Sequence, residues 1–266
     1  MSRKVVGDDG KSRRLRDIPA SIEGGNMSTT DRPTKSSATT TRSSDTTTAR
    51  SPAAPTERLA HSALGGVATF AAVVVAMHLL EPDFDPRDRY VSEYVLGDWG
   101  LLMNAAFFAL GIGTISLGLA LGRAMAPIRR TRGVRGLYVG AGVATIVAGV
   151  FNSDELVDGE VVEVTVPGAI HDVASLTLFA TSIVAAFLLR SVFLATPGWE
   201  RRAMFAPIVG TLLIAGFVAT GALTDWFGLA QRAFVAVHVG WLGLQAVWLL
   251  TTSSKGERRP SQPSDR

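Results

Sequence analysis

The residues able to do chemistry in this chain stand at the ends of long apolar runs. Ser92 and Glu93 fall in Tyr90-Val91-Ser92-Glu93-Tyr94, and Asn104 lies one turn into the apolar run that follows. Asp154 closes Asn152-Ser153-Asp154, while His171 and Asp172 close Pro167-Gly168-Ala169-Ile170-His171-Asp172. Asp225 follows Thr224, and Gln231 and Arg232 open the last run. His78 lies near the end of the first run. His238 is six residues beyond Arg232, about 9 Å further along if that run is helical. Ionisable groups at membrane depth are costly and usually face a bundle interior or a water-filled cavity. Ser92, Glu93, Asn104, Asp154, His171, Asp172, Asp225, Gln231 and Arg232 are therefore the candidates for one shared polar pocket.

Several chemistries can be written on these residues. His78, His171 and His238 with Asp154 would make a zinc-type donor set, although no two of these histidines share the i, i+4 spacing of a helical ligand pair. Ser92, His171 and Asp172 could be named a hydrolytic triad. Adjacent side chains on one helix diverge by about 100°, however, so Asp172 is poorly placed to orient His171. A two-haem bundle would want histidine pairs at matching depths, and His61 stands alone at the other end. No GxxxxGK[ST] phosphate loop occurs. The chain has no cysteine, which excludes disulfide frameworks, thiolate metal sites and cysteine nucleophiles. The alternative to a site is structural. Asp154 and Asp225 fall at the ends of apolar runs, where the helix dipole disfavours a carboxylate, so an Asp154–Arg232 or Asp225–Arg232 pair is expected if the polar groups only lock helices together.

The elements that must position these groups are legible from composition. Residues 1–58 hold only 12 hydrophobic residues and residues 255–266 hold none, so the 47% hydrophobic average conceals a much more apolar middle. Six runs stand out there: Leu59–Leu80, Leu101–Gly122, Gly136–Ser153, Val173–Leu189 (extended through Gly168 and to about Leu194), Ala203–Thr224 and Ala233–Ser254. Helices of 18 to 22 residues span about 27–33 Å, the thickness of a bilayer core. Helices rather than a barrel are expected, because the runs lack ten-residue alternation. The predicted fold is all-α, a six-helix transmembrane bundle over residues 59–254. A disordered N-terminal tail precedes it and a polar tail follows over residues 255–266.

Between residues 28 and 56, Ser and Thr fill 16 of 29 positions without apolar periodicity, so no core can offset the entropy of ordering. No apolar run follows Arg3 and Lys4, so a cytoplasmic tail is expected rather than a signal peptide. Met27 is a second candidate start, since the codons of Glu23-Gly24-Gly25 can spell a purine-rich ribosome-binding string. The loops assign orientation. One face collects 23 basic and 10 acidic residues, the other 3 basic and 13 acidic. The positive-inside rule predicts a plasma-membrane protein with both termini cytoplasmic. The basic loops are short and adjoin the membrane, so anionic lipid headgroups are their expected partners and nucleic acid is not. Gly118-xxx-Gly122 and Gly136-xxx-Gly140 suggest close helix packing, and Gln245 suggests an interhelical hydrogen bond in mid-membrane. The scarcity of Lys (4) beside Arg (22) points to a high-GC bacterial genome.

The chain resembles the DUF998 family of integral membrane proteins. The resemblance rests on Val91-Ser92-Glu93-Tyr94, the run GLLMNAAFFALGIG from Gly100 to Gly113, Phe151-Asn152-Ser153-Asp154, Gly168-Ala169-Ile170-His171-Asp172 and Gly228-Leu229-Ala230-Gln231-Arg232. It spans roughly residues 60–250 and implies a membrane domain, commonly of six helices, with no established activity. A looser analogy is to the seven-helix ceramidase and adiponectin-receptor superfamily, which arranges Ser, Asp and His around a membrane-embedded metal. This chain has one predicted helix fewer and lacks a His-xxx-His pair in its last run. Three functions are therefore expected alternatives. The first is small-molecule or lipid binding or translocation through an outward-facing polar pocket, with no cofactor. The second is a membrane-embedded, metal-dependent lipid hydrolase with zinc as its expected cofactor. The third is a structural scaffold.

Overall fold

The computed structural model describes residues 53–157 and 160–257. The Ser/Thr-rich tail expected to be disordered, up to residue 52, and the final residues from 258 lie outside the described chain. Six helices follow one another: α1 (Ala53–Leu80), α2 (Gly100–Ala124), α3 (Arg129–Val150), α4 (Val166–Ala195), α5 (Phe205–Ala222) and α6 (Phe227–Glu257). Each contains a stretch long and apolar enough to cross a membrane, and the protein is a multi-pass all-α membrane protein. Among the described residues, strand structure is confined to a minimal ladder, β1 (Leu156–Val157) against β2 (Glu160–Val161), in the α3–α4 loop.

Helix ends depart from the hydropathy edges where side chains are long or amphipathic. Helix α3 begins at Arg129, seven residues before the predicted edge at Gly136, and takes in Arg130, Arg132 and Arg135. Arginine is a good helix former, and its stem can lie along apolar surface while the guanidinium reaches water. Helix α6 begins at Phe227, six residues before the predicted edge at Ala233, which puts Gln231 and Arg232 on its first turns. The start of α4 has a local cause: the Thr165 hydroxyl accepts from the Gly168 amide at 3.0 Å, and Pro167 occupies the first turn, where its missing N–H costs nothing.

Helices adjacent in sequence pack against each other, and α6 closes the ring on α1. The α2 span is the most buried of the six, at 61%, and α5 the least, at 22%. Ile208, Leu212, Phe217 and Val218 of α5 are exposed, as an apolar lipid-facing surface should be. The tightest approach joins α1 to α2 at Gly66, where a Cβ would strike the Ala109 carbonyl and the Gly113 backbone. Gly118 and Gly122 lie against Tyr138 and Arg135 of α3, whereas Gly136 and Gly140 face open space. The close-packing expectation therefore holds for the α2 pair and not for the α3 pair. In the bundle interior, the Gln245 amide donates to the Tyr138 hydroxyl at 2.9 Å and to the Trp241 carbonyl at 3.1 Å, tying α6 to α3.

The loops α1–α2, α3–α4 and α5–α6 share one face, here called the acidic face. Its largest element is the 3-10 helix Val91–Leu96. The loop holding it is anchored by Glu81, whose carboxylate accepts from the Trp99 amide at 2.7 Å, and by the Gly228 amide, which donates to the Arg87 carbonyl at 2.8 Å.

Candidate functional site

A cavity of about 130 Å³ opens at the acidic face between α1, the 3-10 helix, α2, α4 and α6. Its polar wall is made by Tyr90, Ser92, His171, Asp172, Ser175, Gln231 and His238. Phe70, Phe107 and Phe179 are among its apolar lining. His171 and His238 are each 2% exposed, while Asp172 is exposed at the mouth. The two histidines differ in their bonding. Nδ1 of His171 lies 2.9 Å from both the Ala148 and Phe151 carbonyls, so it carries the proton and donates. In the neutral ring this leaves Nε2 of His171 as an acceptor. Neither ring nitrogen of His238 has a hydrogen-bond partner. Gln231 is held by its Oε1, which accepts from the Val91 amide at 2.7 Å and fixes the 3-10 helix to α6. Together these groups offer a ligand an imidazole acceptor, an unpaired imidazole, two serine hydroxyls and one carboxylate.

Arg232 occupies a separate place, on the other side of Val91. Its Nη1 donates to the carbonyls of Pro86 at 2.9 Å, Arg89 at 2.5 Å and Gly228 at 3.2 Å. Its Nε donates to Nε2 of His78 at 3.0 Å, and Nη2 to the Tyr94 hydroxyl at 3.2 Å. His78 in turn donates from Nδ1 to the Val74 carbonyl at 2.6 Å. Among the described residues no carboxylate pairs with Arg232. The expected Asp154–Arg232 and Asp225–Arg232 pairs are therefore corrected. Backbone carbonyls of the α1–α2 loop take the guanidinium instead.

The reason lies in which helix each acid serves. Helix α3 ends at Val150, so Asp154 lies beyond it. Asp154 accepts from the Thr165 amide at 3.1 Å and the Thr165 hydroxyl at 2.6 Å, at the positive N-terminal end of α4. Its carboxylate fills the space that a side chain on Gly168 would need. Asp225 is exposed two residues before α6, again on an N-terminal side. Neither acid sits at the unfavourable helix end that called for a cation. Asn104 also lies off the cavity, donating to the Asn152 side chain at 3.4 Å.

Glu93 is fully buried beside the cavity but faces its own clasp. One oxygen accepts from the Tyr90 amide at 2.7 Å, and the other from Arg89 at 2.9 Å. Burial lifts its carboxyl above the usual carboxylate range, against the opposing pull of the Tyr90 amide, Arg89 and the Leu156 amide. Burial, helped by the charges of Glu93 and Asp172, raises Tyr90 as well.

The four zinc-type candidates are not gathered. His78 is bonded to Arg232 and Asp154 to Thr165, while His171 and His238 line the cavity. Among the described residues, no three His, Asp or Glu side chains stand where they could hold a metal. Ser92, His171 and Asp172 do line one cavity. The ring nitrogen that a triad acid would orient, Nδ1 of His171, is already engaged by two carbonyls.

A family model described as a protein of unknown function, DUF998, matches residues 64–248, which takes in most of the bundle and every residue of both polar clusters. The chain belongs to the DUF998 family. No curated protein and no solved structure matches this DUF998 chain. Five residues read as site candidates from the DUF998-like sequence, Ser92, His171, Asp172, Gln231 and His238, meet at the cavity. Glu93, Asn104, Asp154, Asp225, His78 and Arg232 do not line it. Ser175 and Tyr90 are additional wall residues. Ser175 stands four residues after His171, and His238 stands seven after Gln231. Those helical spacings, counted from the cavity residues, are the sequence signal that marks them.

Proposed function

We propose that this DUF998 protein binds a small hydrogen-bonding molecule, or the polar part of a lipid, in the His171–His238 cavity. The observation that carries the reading is the unpartnered His238 in the cavity wall. An unsatisfied buried polar group costs about 1–3 kcal/mol, and a ligand hydroxyl or amine would relieve that cost. The cavity is comparable in size to ones that admit a single aromatic ring, so it suits a compact ligand or one headgroup fragment. Asp172 at the mouth favours a ligand that is neutral or carries an amine. The distribution of 23 basic residues on one face against 3 on the other supports a plasma-membrane orientation with both termini cytoplasmic. The acidic face and its cavity then look outward.

A structural role is favoured for a different set of residues. Glu93, Asp154 and Arg232 are internally bonded and hold loops to helices. The test of binding is native mass spectrometry of the detergent-purified protein, comparing wild type with His238→Phe. A bound small mass should be present in the wild type and lost in a variant that keeps its melting temperature. The same bound species in both, or none in the wild type, contradicts the reading.

A further inference from the structure

A second concavity runs along the outside of the bundle between α1 and α6. This groove, about 520 Å³, extends from His78 and Arg232 at the acidic face to Val67, Gly243 and Leu244 near mid-span. Its walls are otherwise valine, alanine and glycine, with Phe70. Val75 and Leu244 are exposed along it, and Gly240 has no neighbour within 4 Å of where a side chain would start. From Arg232 to Gly243 is eleven residues of helix, about 16 Å. That length matches one leaflet, half of a hydrocarbon core about 30 Å thick.

Charge sits only at the end of the groove that meets the headgroups. Arg232 has five N–H groups. Three meet backbone carbonyls and His78, and a fourth meets the Tyr94 hydroxyl. Asp85 feels its charge but is paired with Arg87 at 2.8 Å, and no carboxylate among the described residues lies within ion-pair distance of Arg232. It therefore keeps both a net positive charge and one N–H for an oxyanion, directly above an apolar groove as long as a leaflet.

We infer that this groove is a specific site for one anionic phospholipid of the leaflet at the acidic face, its acyl chain lying between α1 and α6 and its phosphate at Arg232. The site is distinct from the His171–His238 cavity. Phe70, Val91, Val235 and Val239 line both and separate them.

The experiment is native mass spectrometry of the full chain from micelles containing equal phosphatidylglycerol and phosphatidylcholine. Wild type should retain one lipid, with phosphatidylglycerol preferred about five-fold, the effect of one basic residue on an anionic lipid. Arg232→Gln should keep a lipid and lose the preference. Gly240→Leu places a side chain in the groove from a position whose Cβ meets no atom within 4 Å, and should retain neither lipid while leaving any cavity ligand in place. The Gly240 variant also carries the test if Arg232→Gln fails to fold. Equal retention of both lipids by wild type, or full retention of lipid by Gly240→Leu, overturns the inference. Loss of the small mass in His238→Phe with lipid retention unchanged would show that the two sites are separate.

Discussion

Arg232 of α6 donates its Nε proton to Nε2 of His78 on α1, 3.0 Å away, closing the helix ring with a cation and a neutral histidine rather than an ion pair. The Nη1 protons hold the α1–α2 loop by its carbonyls. Arg232→Met should lower stability by about 2–3 kcal/mol, because several charge-assisted bonds are lost and part-buried carbonyls are left unpaired. His78→Phe removes one acceptor and should cost less, about 1–2 kcal/mol. Melting temperatures of the purified variants check the order. A His78→Phe loss as large as that of Arg232→Met would mean the loop carbonyls matter little.

Asp154 and Gly168 should be coupled. Asp154→Ala removes two bonds to Thr165 at the start of α4 and should cost about 1–2 kcal/mol, in the range of a lost N-cap. Gly168→Ala should destabilise because its new methyl group overlaps the Asp154 carboxylate. In the Asp154→Ala background that overlap is gone, so the double variant should be more stable than the sum of the single losses predicts. Strict additivity in a thermal double-mutant cycle would argue that the carboxylate is not where the structure places it.

Those two relationships show what a sequence can and cannot reveal here. The six helices and the convergence of Ser92, His171, Asp172 and Gln231 near one end follow from hydropathy and chain order. The partner of Arg232 does not, because backbone carbonyls such as those of Pro86 and Arg89 carry no residue-type signal. Asp154 looks like a helix C-terminus when hydropathy edges are equated with helix ends. The apolar stretch continues to Phe151, but the helix stops at Val150 and the acid turns to the next helix. His238 is found by counting from Gln231, which shares its face, and is obscured by counting from Arg232, which does not.

Glu93 should give stability a pH dependence of known sign. Its folded-state carboxyl is raised above its ordinary value of 4.5. Between those two values the folded protein binds more proton than the unfolded chain, so stability falls as pH rises through the window. Glu93→Gln does not titrate there. The stability of wild type relative to Glu93→Gln should therefore increase as the pH is lowered from neutral towards 4.5. A melting-temperature difference that runs the other way would place the Arg89 attraction above the burial penalty.

The mid-membrane contact between Tyr138 and Gln245 should be worth little. Tyr138→Phe leaves the Gln245 amide bonded to the Trp241 carbonyl and should cost about 1 kcal/mol or less. A loss several times larger, measured by thermal unfolding in detergent, would show that the bundle depends on this bond for its register.

The proposed outward-facing cavity can be tested cleanly because the sequence contains no cysteine. Ser175 lines the cavity between His171 and Phe179 on α4. A Ser175→Cys protein in intact cells should react with a membrane-impermeant thiol reagent added from outside. Reaction only after the membrane is opened would contradict the outward-facing site.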